Sequence, residues 1–430
     1  MKRPVTTEPT RPPDRALRDG VLWNLVPVAL LGVVGLGLTI GIGAWWGTAA
    51  LGVFNQVTTA YFVLAVIGAG SINYSVLKAI AERPDDPDRV AAVVVGGLVP
   101  TLVMASLLTP LLICGRFVIA DVLDSDEVAR GIVWVAPGLF CFIVNKVLLG
   151  VVNGLGRMRA YAVYTSLRYV LIGVGLLVAR VRGVSAEELP AIWSLTEGIL
   201  LMVLTAEMVS TVALRRAAGW TSWVREHLVY GTRGAGAALL FEINSRLDVW
   251  ILGVAMSDGA VGIYSMAASM AEGVSQLGVA VQVNVNPRIA AAIAGGRLGL
   301  VGELARATRR WFVPAMVAIC VLAAAVFPLA IPWLTGRPEF HDGSVPFALL
   351  LGGLALVAWW QPFNQILLMG GRPGWHTIYV SLVVATNVAG SLWLIPRIGL
   401  AGASLANAFS LLLSAVLLVR MSRVLLGVKL

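Results

Sequence analysis

Three basic residues, Lys146, Arg168 and Arg246, stand inside long apolar runs and not between them. A fixed cation at the centre of a lone membrane helix costs at least about 2.5 kcal/mol, so each must face a cavity or a partner. In a cavity it can offset the charge of an anionic group stripped of water. Tyr161, Tyr164 and Arg168 follow the three-then-four spacing of one helical face. Asp248 shares a face with Asn244, and a carboxylate flanked by amides is a site for Na+ or H+. Glu272 and Gln276 continue a stripe with Ser265 and Ser269, which either lines a hydrated cavity or serves as glue between helices; Asn55 and Thr59 form a similar stripe. Each residue also has a plainer reading. Glu242 lies four residues before Arg246 and can pair with it as scaffold, Lys146 and Arg168 can snorkel toward a surface, and Glu197 or Glu207 can pair with either.

The elements that must position these groups follow from composition. Hydrophobic residues make up 58% of the 430 and charged residues only 13%, about half the charge of an ordinary soluble domain. Apolar runs of roughly 20 residues recur with short polar breaks, each long enough to cross a hydrocarbon core of about 30 Å. Lipid offers the backbone no hydrogen-bond partner, so each run is expected to be a helix. The segmentation predicts twelve, at 21–45, 50–77, 90–114, 131–152, 160–180, 190–213, 235–256, 260–283, 311–334, 345–368, 376–395 and 400–422. The expected architecture is an all-α integral membrane protein of two pseudo-symmetric six-helix lobes, 21–213 and 235–422. A disordered cytoplasmic tail over 1–20, an interlobe linker over 214–234 and a tail over 423–430 complete it.

Orientation follows from basic residues. One face, with both termini, receives 23 of the 32 Lys and Arg; the other receives six, and three lie in spans. The positive-inside rule makes the first face cytoplasmic and the chain a multi-pass protein of the cell membrane. The net charge of +9 is thereby accounted for, with no motif for nucleic acid. The stretch to Gly20 lacks the form of a cleaved signal peptide. Cys114, Cys141 and Cys320 have no paired spacing, and the histidines at 227, 341 and 376 share no metal-ligand spacing. Neither a cofactor nor a structural metal is expected, and a membrane-embedded transferase lacks a catalytic constellation. Pro27, Pro100, Pro110, Pro137, Pro314, Pro328 and Pro362 permit bending without requiring it.

Internal repetition supplies the architecture. A shift of 210 residues lays Leu51-Gly-Val-Phe-Asn on Val261-Gly-Ile-Tyr-Ser, Thr59 on Ser269, Gly68 on Gly278 and Lys78 on Arg288. A shift of 215 lays Gly156-Arg157 on Gly371-Arg372 and Tyr164, Ser166 and Leu167 on Tyr379, Ser381 and Leu382. Equivalent helices are thus six apart and run in the same direction, which relates the halves by a pseudo-two-fold along the membrane normal.

Leu51-Gly-Val-Phe-Asn, Ile243-Asn-Ser-Arg-Leu-Asp-Val-Trp-Ile-Leu-Gly, Val261-Gly-Ile-Tyr-Ser-Met-Ala, Asn286-Pro-Arg-Ile-Ala and Ile395-Pro-Arg-Ile-Gly-Leu-Ala-Gly-Ala-Ser together carry a resemblance. They resemble the polysaccharide flippases, of O-antigen and teichoic acid type, in the multidrug/oligosaccharidyl-lipid/polysaccharide exporter superfamily. The resemblance implies flipping of an undecaprenyl-pyrophosphate-linked oligosaccharide by alternating access, with membrane lipids and polymerases or glycosyltransferases of the same pathway as partners. It further implies a coupling cation in the C-terminal lobe, for which Asp248 is the first choice, with Asn387 beside it. The implied substrate-binding residues are Lys146, Arg168, Arg246, Tyr161, Tyr164, Glu272 and Gln276. A multidrug exporter of the same superfamily would meet three repulsive cations in carrying a cationic drug, and the lipid II flippases usually have two further helices.

The charge asymmetry generates a test of topology. A cysteine introduced at Asp124 is expected to react with an impermeant thiol reagent added to intact cells, and one at Glu303 is expected not to; the opposite pattern would reverse the orientation.

Overall fold

The computed structural model describes residues 13–428, and the side chains of all of these except 13–26, 28–29, 233–238, 241–245, 283–284, 287, 291 and 294. Every regular element among them is a helix: α1 (Pro13–Trp46), α2 (Thr48–Ala69), α3 (Ile72–Glu82), α4 (Pro87–Leu123), α5 (Asp126–Gly154), α6 (Met158–Arg182), α7 (Ala191–Thr211), α8 (Trp220–Ala255), α9 (Asp258–Ala294), α10 (Leu298–Thr335), α11 (Ser344–Val357), α12 (Ile366–Met369) and α13 (Pro373–Leu426), with four short 3-10 turns. Eight of the helical segments are long and apolar enough to span a bilayer by length and composition. These helices make the twelve passes of a two-lobe membrane protein, because two passes are interrupted and one element holds two.

The second expected span divides into α2 and α3 at Gly70 and Ser71, which both take positive φ, 45° and 58°. The tenth divides into α11, a 3-10 turn at Gln361–Phe363 and α12. Hydropathy cannot see such breaks, since the flanking residues remain apolar. Conversely, α13 carries the last two spans, reversing at Ile398 and Gly399; Gly399 has φ of 58° and ψ of −133°, a conformation that favours glycine. The reversal returns Ala406 to Gly390 and leaves no room for a Cβ at Gly402, which would lie 2.5 Å from the Leu394 carbonyl oxygen. The stretch 214–234, expected as a linker, is helical from Trp220. There α8 packs on α3 and α4: Trp223 lies against Gly96, and His227 hydrogen-bonds Ser75 at 2.8 Å. Its second half packs on α13, so α8 belongs to the contacts of both halves. The helical start of α1 at Pro13 also falls within the expected tail, while residues 1–12 and 429–430 lie outside the described residues.

The helices α5, α6 and α7 pack among themselves and against α1 to α4, whereas α10, α11 and α12 pack on α9, and α13 packs on α8, α11 and α12. The halves meet where α2 crosses α9 near their first turns. A Cβ on Gly52 would lie 1.9 Å from the Asp258 carbonyl oxygen, and one on Gly262 would lie 1.9 Å from that of Thr48. Gly52 and Gly262, like Thr48 and Asp258, are separated by 210 residues, the repeat offset. The crossing is therefore the place where the pseudo-two-fold axis passes between backbones in contact. Small residues allow this approach, which in lipid must be stabilised by packing and interhelical hydrogen bonds. Asp258 supplies the latter, accepting from Gln56 Nε2 at 2.9 Å and from Ser125 Oγ at 2.8 Å.

Gly52→Ala places a methyl group against a carbonyl oxygen and is expected to destabilise the closed crossing by on the order of 1–3 kcal/mol. Thermal unfolding of the purified protein measures this, with Gly115→Ala, which meets nothing within 4 Å, as the control. Equal midpoints for the two variants would contradict the close approach.

Candidate functional site

Two buried polar sites lie on opposite sides of α8. The first is built on α5, α6 and α7. Arg168 of α6 forms an ion pair with Glu197 of α7: Nη2 donates to Oε2 at 3.1 Å, and Nε lies 2.6 Å from Oε1 without hydrogen-bonding it. Asn145 of α5 donates through Nδ2 to Glu197 Oε2 at 2.8 Å and to the Glu197 carbonyl oxygen at 2.9 Å. Glu197 is fully buried, and 12% of the Arg168 side chain is exposed. The pairing that helical spacing left open is thus settled: Glu197 takes Arg168, while Glu207 takes Arg157, with the Tyr164 hydroxyl alongside.

The Arg168 guanidinium lies over the Phe142 ring, 5.1 Å from its centre, and Lys146 Nζ is 5.3 Å from the same centre. Arg246 lies 4.3 Å over Phe62, which meets Phe142 edge-to-face at 5.7 Å. Tyr61 and Trp193 extend the aromatic patch. Three cations from α5, α6 and α8 therefore share one set of rings. Ring faces are the negative pole of the aromatic quadrupole, and each contact contributes about 2 kcal/mol or more when desolvated. The sequence exposed the cations but missed Phe142, Phe62 and Asn145. The four-residue step from Phe142 to Lys146 was the available signal, since it puts both on one face.

The second site contains Asp248, with Asn387 and Ser391 of α13 and Tyr264 of α9. Asp248 accepts from Tyr264 Oη at 3.0 Å, Asn387 Nδ2 at 3.2 Å and Ser391 Oγ at 3.2 Å. Asn407 stands beside it. All are neutral, so this buried carboxylate is held by hydrogen bonds to uncharged side chains. Asn387 Oδ1 is buried without a hydrogen-bond partner. The expected neighbour Asn387 is thus in place, whereas Asn244, like Glu242, lies outside the residues whose side chains are described. Tyr264 and Ser391 were not singled out for this site, although Ser391 follows Asn387 by the four-residue step that identifies a shared face.

The remaining candidates separate. Tyr161 and Tyr164 pack, partly buried, against the core formed by α2 to α5 and α7. Glu272 and Gln276 are exposed on α9 and hydrogen-bond each other at 2.6 Å. Ser265, at the start of their stripe, is buried, so the face runs from a packed end at Ser265 to an exposed one at Glu272 and Gln276. Asn55 and Thr59 bond back to the carbonyl oxygens of Leu51 and Asn55, a structural use of these groups.

Arg246 and Asp248 are two residues apart, and side chains at that spacing point to different sides of a helix. Accordingly Arg246 meets Phe62 of α2, while Asp248 meets α9 and α13. One turn of α8 links the two sites. Removing the Tyr264 hydroxyl deletes a bond to a charged acceptor, so Tyr264→Phe is expected to lower stability by about 1.5–3 kcal/mol. The midpoint of thermal unfolding measures it; an unchanged value would show that Asp248 does not depend on this donor.

No family model matches the chain, and no curated protein matches it. Its similarity is to solved structures. An inward-facing multidrug resistance MATE family transporter of the MOP superfamily matches with a TM-score of 0.76 at 15% identity, covering 91% of this chain and 96% of that one. The lipid II flippase MurJ, in an inward closed conformation, matches with a TM-score of 0.73 at 11% identity over 94% of this chain and 87% of that one. A MOP-superfamily transporter from Pyrococcus furiosus, described with a binding pocket of reverse polarity and a different function, matches at 0.59 and 14% identity over 96% of both. The chain has the twelve-helix, two-lobe membrane fold found in transporters of the MOP superfamily.

Proposed function

We propose that this protein is a flippase that carries a polyprenyl-pyrophosphate-linked oligosaccharide from the cytoplasmic to the outer leaflet of the cell membrane, by cation-coupled alternating access. The observation that carries this reading is the convergence of Lys146, Arg168 and Arg246 on the Phe142–Phe62 pair. A pyrophosphate leaving water loses its hydration, and charge-assisted contacts from fixed cations offset that loss. The same cations repel a cationic drug, which separates this reading from multidrug export within the shared fold. A lipid II flippase and a transporter of reversed pocket polarity among the structures of this fold are consistent with an anionic cargo.

On this reading the termini are cytoplasmic and the Gly52–Gly262 crossing closes the outer side. Asp248 is the site of the coupling ion, Na+ or H+. Its carboxylate and Asn387 Oδ1, buried without a hydrogen-bond partner, are hard oxygen atoms of the kind such an ion requires. Rotation of the Asn387 amide exchanges the donor that now holds Asp248 for that acceptor. Tyr161, Tyr164, Glu272 and Gln276 remain candidates for contacting sugar hydroxyls. The reaction is transport, with no bond made or broken, and its partners are the enzymes that build and polymerise the glycan.

Replacing Arg168 by Gln is expected to weaken substrate binding roughly ten- to a hundredfold, the equivalent of a charge-assisted bond of about 1.5–3 kcal/mol. Lys at that position is expected to retain part of the affinity, because charge survives and the fork geometry does not. Asp248→Asn is expected to bind substrate nearly as the parent does while losing dependence on a Na+ or H+ gradient. Binding and gradient-driven flipping, measured side by side on folded variants, check both. Parental binding by Arg168→Gln would remove it from the site, and retained gradient dependence in Asp248→Asn would place coupling elsewhere.

A further inference from the structure

Glu197 has no part in the proposed transport beyond holding Arg168, yet its surroundings are unusual for a scaffold carboxylate. It is the more deeply set of the pair: its side chain is fully buried, while 12% of that of Arg168 is exposed. An anion entering the aromatic patch reaches the guanidinium and not the carboxylate. It therefore competes with Glu197 for the guanidinium, whose Nη2 now donates to Oε2 and whose Nε lies 2.6 Å from Oε1. If the pyrophosphate takes the guanidinium, Glu197 is left as a buried anion without its counter-charge, a state that costs several kcal/mol and that buried groups avoid by neutralising.

The groups around Glu197 are suited to the neutral form. Asn145 Oδ1 and Tyr61 Oη are buried and have no hydrogen-bond partner. Both can accept a hydrogen bond, which a carboxylate cannot donate and a carboxylic acid can. The charged and titratable groups facing Glu197 are Arg168 and Tyr169 of α6, Cys141 of α5 and Tyr61 of α2; Lys146 shares the Phe142 ring with Arg168.

We infer that Glu197 is a proton site linked to the cargo: when a pyrophosphate takes Arg168, Glu197 takes up one proton, and when the headgroup leaves, the proton leaves and the ion pair reforms. The proton comes from water and adds to a Glu197 carboxylate oxygen, while Arg168 keeps its own proton and its charge throughout. The pocket then exchanges one anion for another. This inference rests on the flippase reading and adds a second titrating group, on the opposite side of α8 from Asp248. By linkage, uptake of a proton on binding means that affinity rises as pH falls, by up to tenfold per pH unit where uptake is complete.

The test is titration calorimetry of farnesyl pyrophosphate, a short polyprenyl pyrophosphate, into the detergent-purified full-length protein in buffers of differing ionisation enthalpy. Any change in protonation of the probe itself is common to both proteins, so the difference between them reports Glu197. The parent is expected to take up about one proton more than Glu197→Gln, and only the parent is expected to show the added pH dependence. Equal uptake overturns the inference and leaves the flippase reading standing. Absence of binding by the folded parent overturns both. Should Glu197→Gln fail to fold, the infrared difference spectrum of the parent decides. A carboxylic-acid carbonyl band that appears on binding and shifts with 13C-glutamate supports the inference, and its absence overturns it.

Discussion

A charge inside hydrocarbon must be matched where it stands, and the arrangement of this bundle follows from how it meets that demand. Arg168 is matched by Glu197, with Asn145 bracing the carboxylate from the third helix. Asp248 is matched without any cation, by hydroxyl and amide donors from two other helices. Arg168, Lys146 and Arg246 are further accommodated by the faces of Phe142 and Phe62. Those rings stabilise the cations through their negative faces, beside the Glu197 carboxylate that pairs with Arg168.

The helix α8 connects these arrangements. It packs first on α3 and α4 and then on α13, and within one turn it presents Arg246 to one site and Asp248 to the other. The two sites are therefore joined through one turn of a single helix. The halves also meet at the crossing of α2 and α9. Its backbones touch at Gly52 and Gly262, so closure there leaves no lipid or water between the halves. Asp258, bridging to Gln56 and Ser125, adds hydrogen bonds that must break before this end opens.

Much of this was legible in the sequence, for a physical reason. Span number, basic-residue asymmetry and the 210-residue offset are properties of a one-dimensional string under a strong solvent constraint. The offset even identified Gly52 and Gly262 as equivalents, although only the fold brings them into contact. The azimuth of each helix was not legible. Arg168 could pair with Glu197 or Glu207 by spacing alone, and Ser265 was placed on a stripe with Glu272 that packing divides. Breaks such as Gly70–Ser71 leave hydropathy unchanged, and the extension of α8 back to Trp220 is paired with α3 and α4 by contacts no local pattern records. Phe142 and Phe62 were not singled out, because in a membrane chain aromatic residues are common and their use as a cation platform depends on what lies above the ring.

The central claim is that the charge of this patch selects an anionic cargo, and competition between opposite charges in one binding assay tests it most directly. Farnesyl pyrophosphate and tetraphenylphosphonium are offered to the purified parent protein at equal concentration. The account predicts that the pyrophosphate binds, that added salt weakens it, and that the phosphonium cation neither binds nor displaces it. Binding of the phosphonium cation with no affinity for the pyrophosphate would contradict the account and place the protein with exporters of cationic compounds.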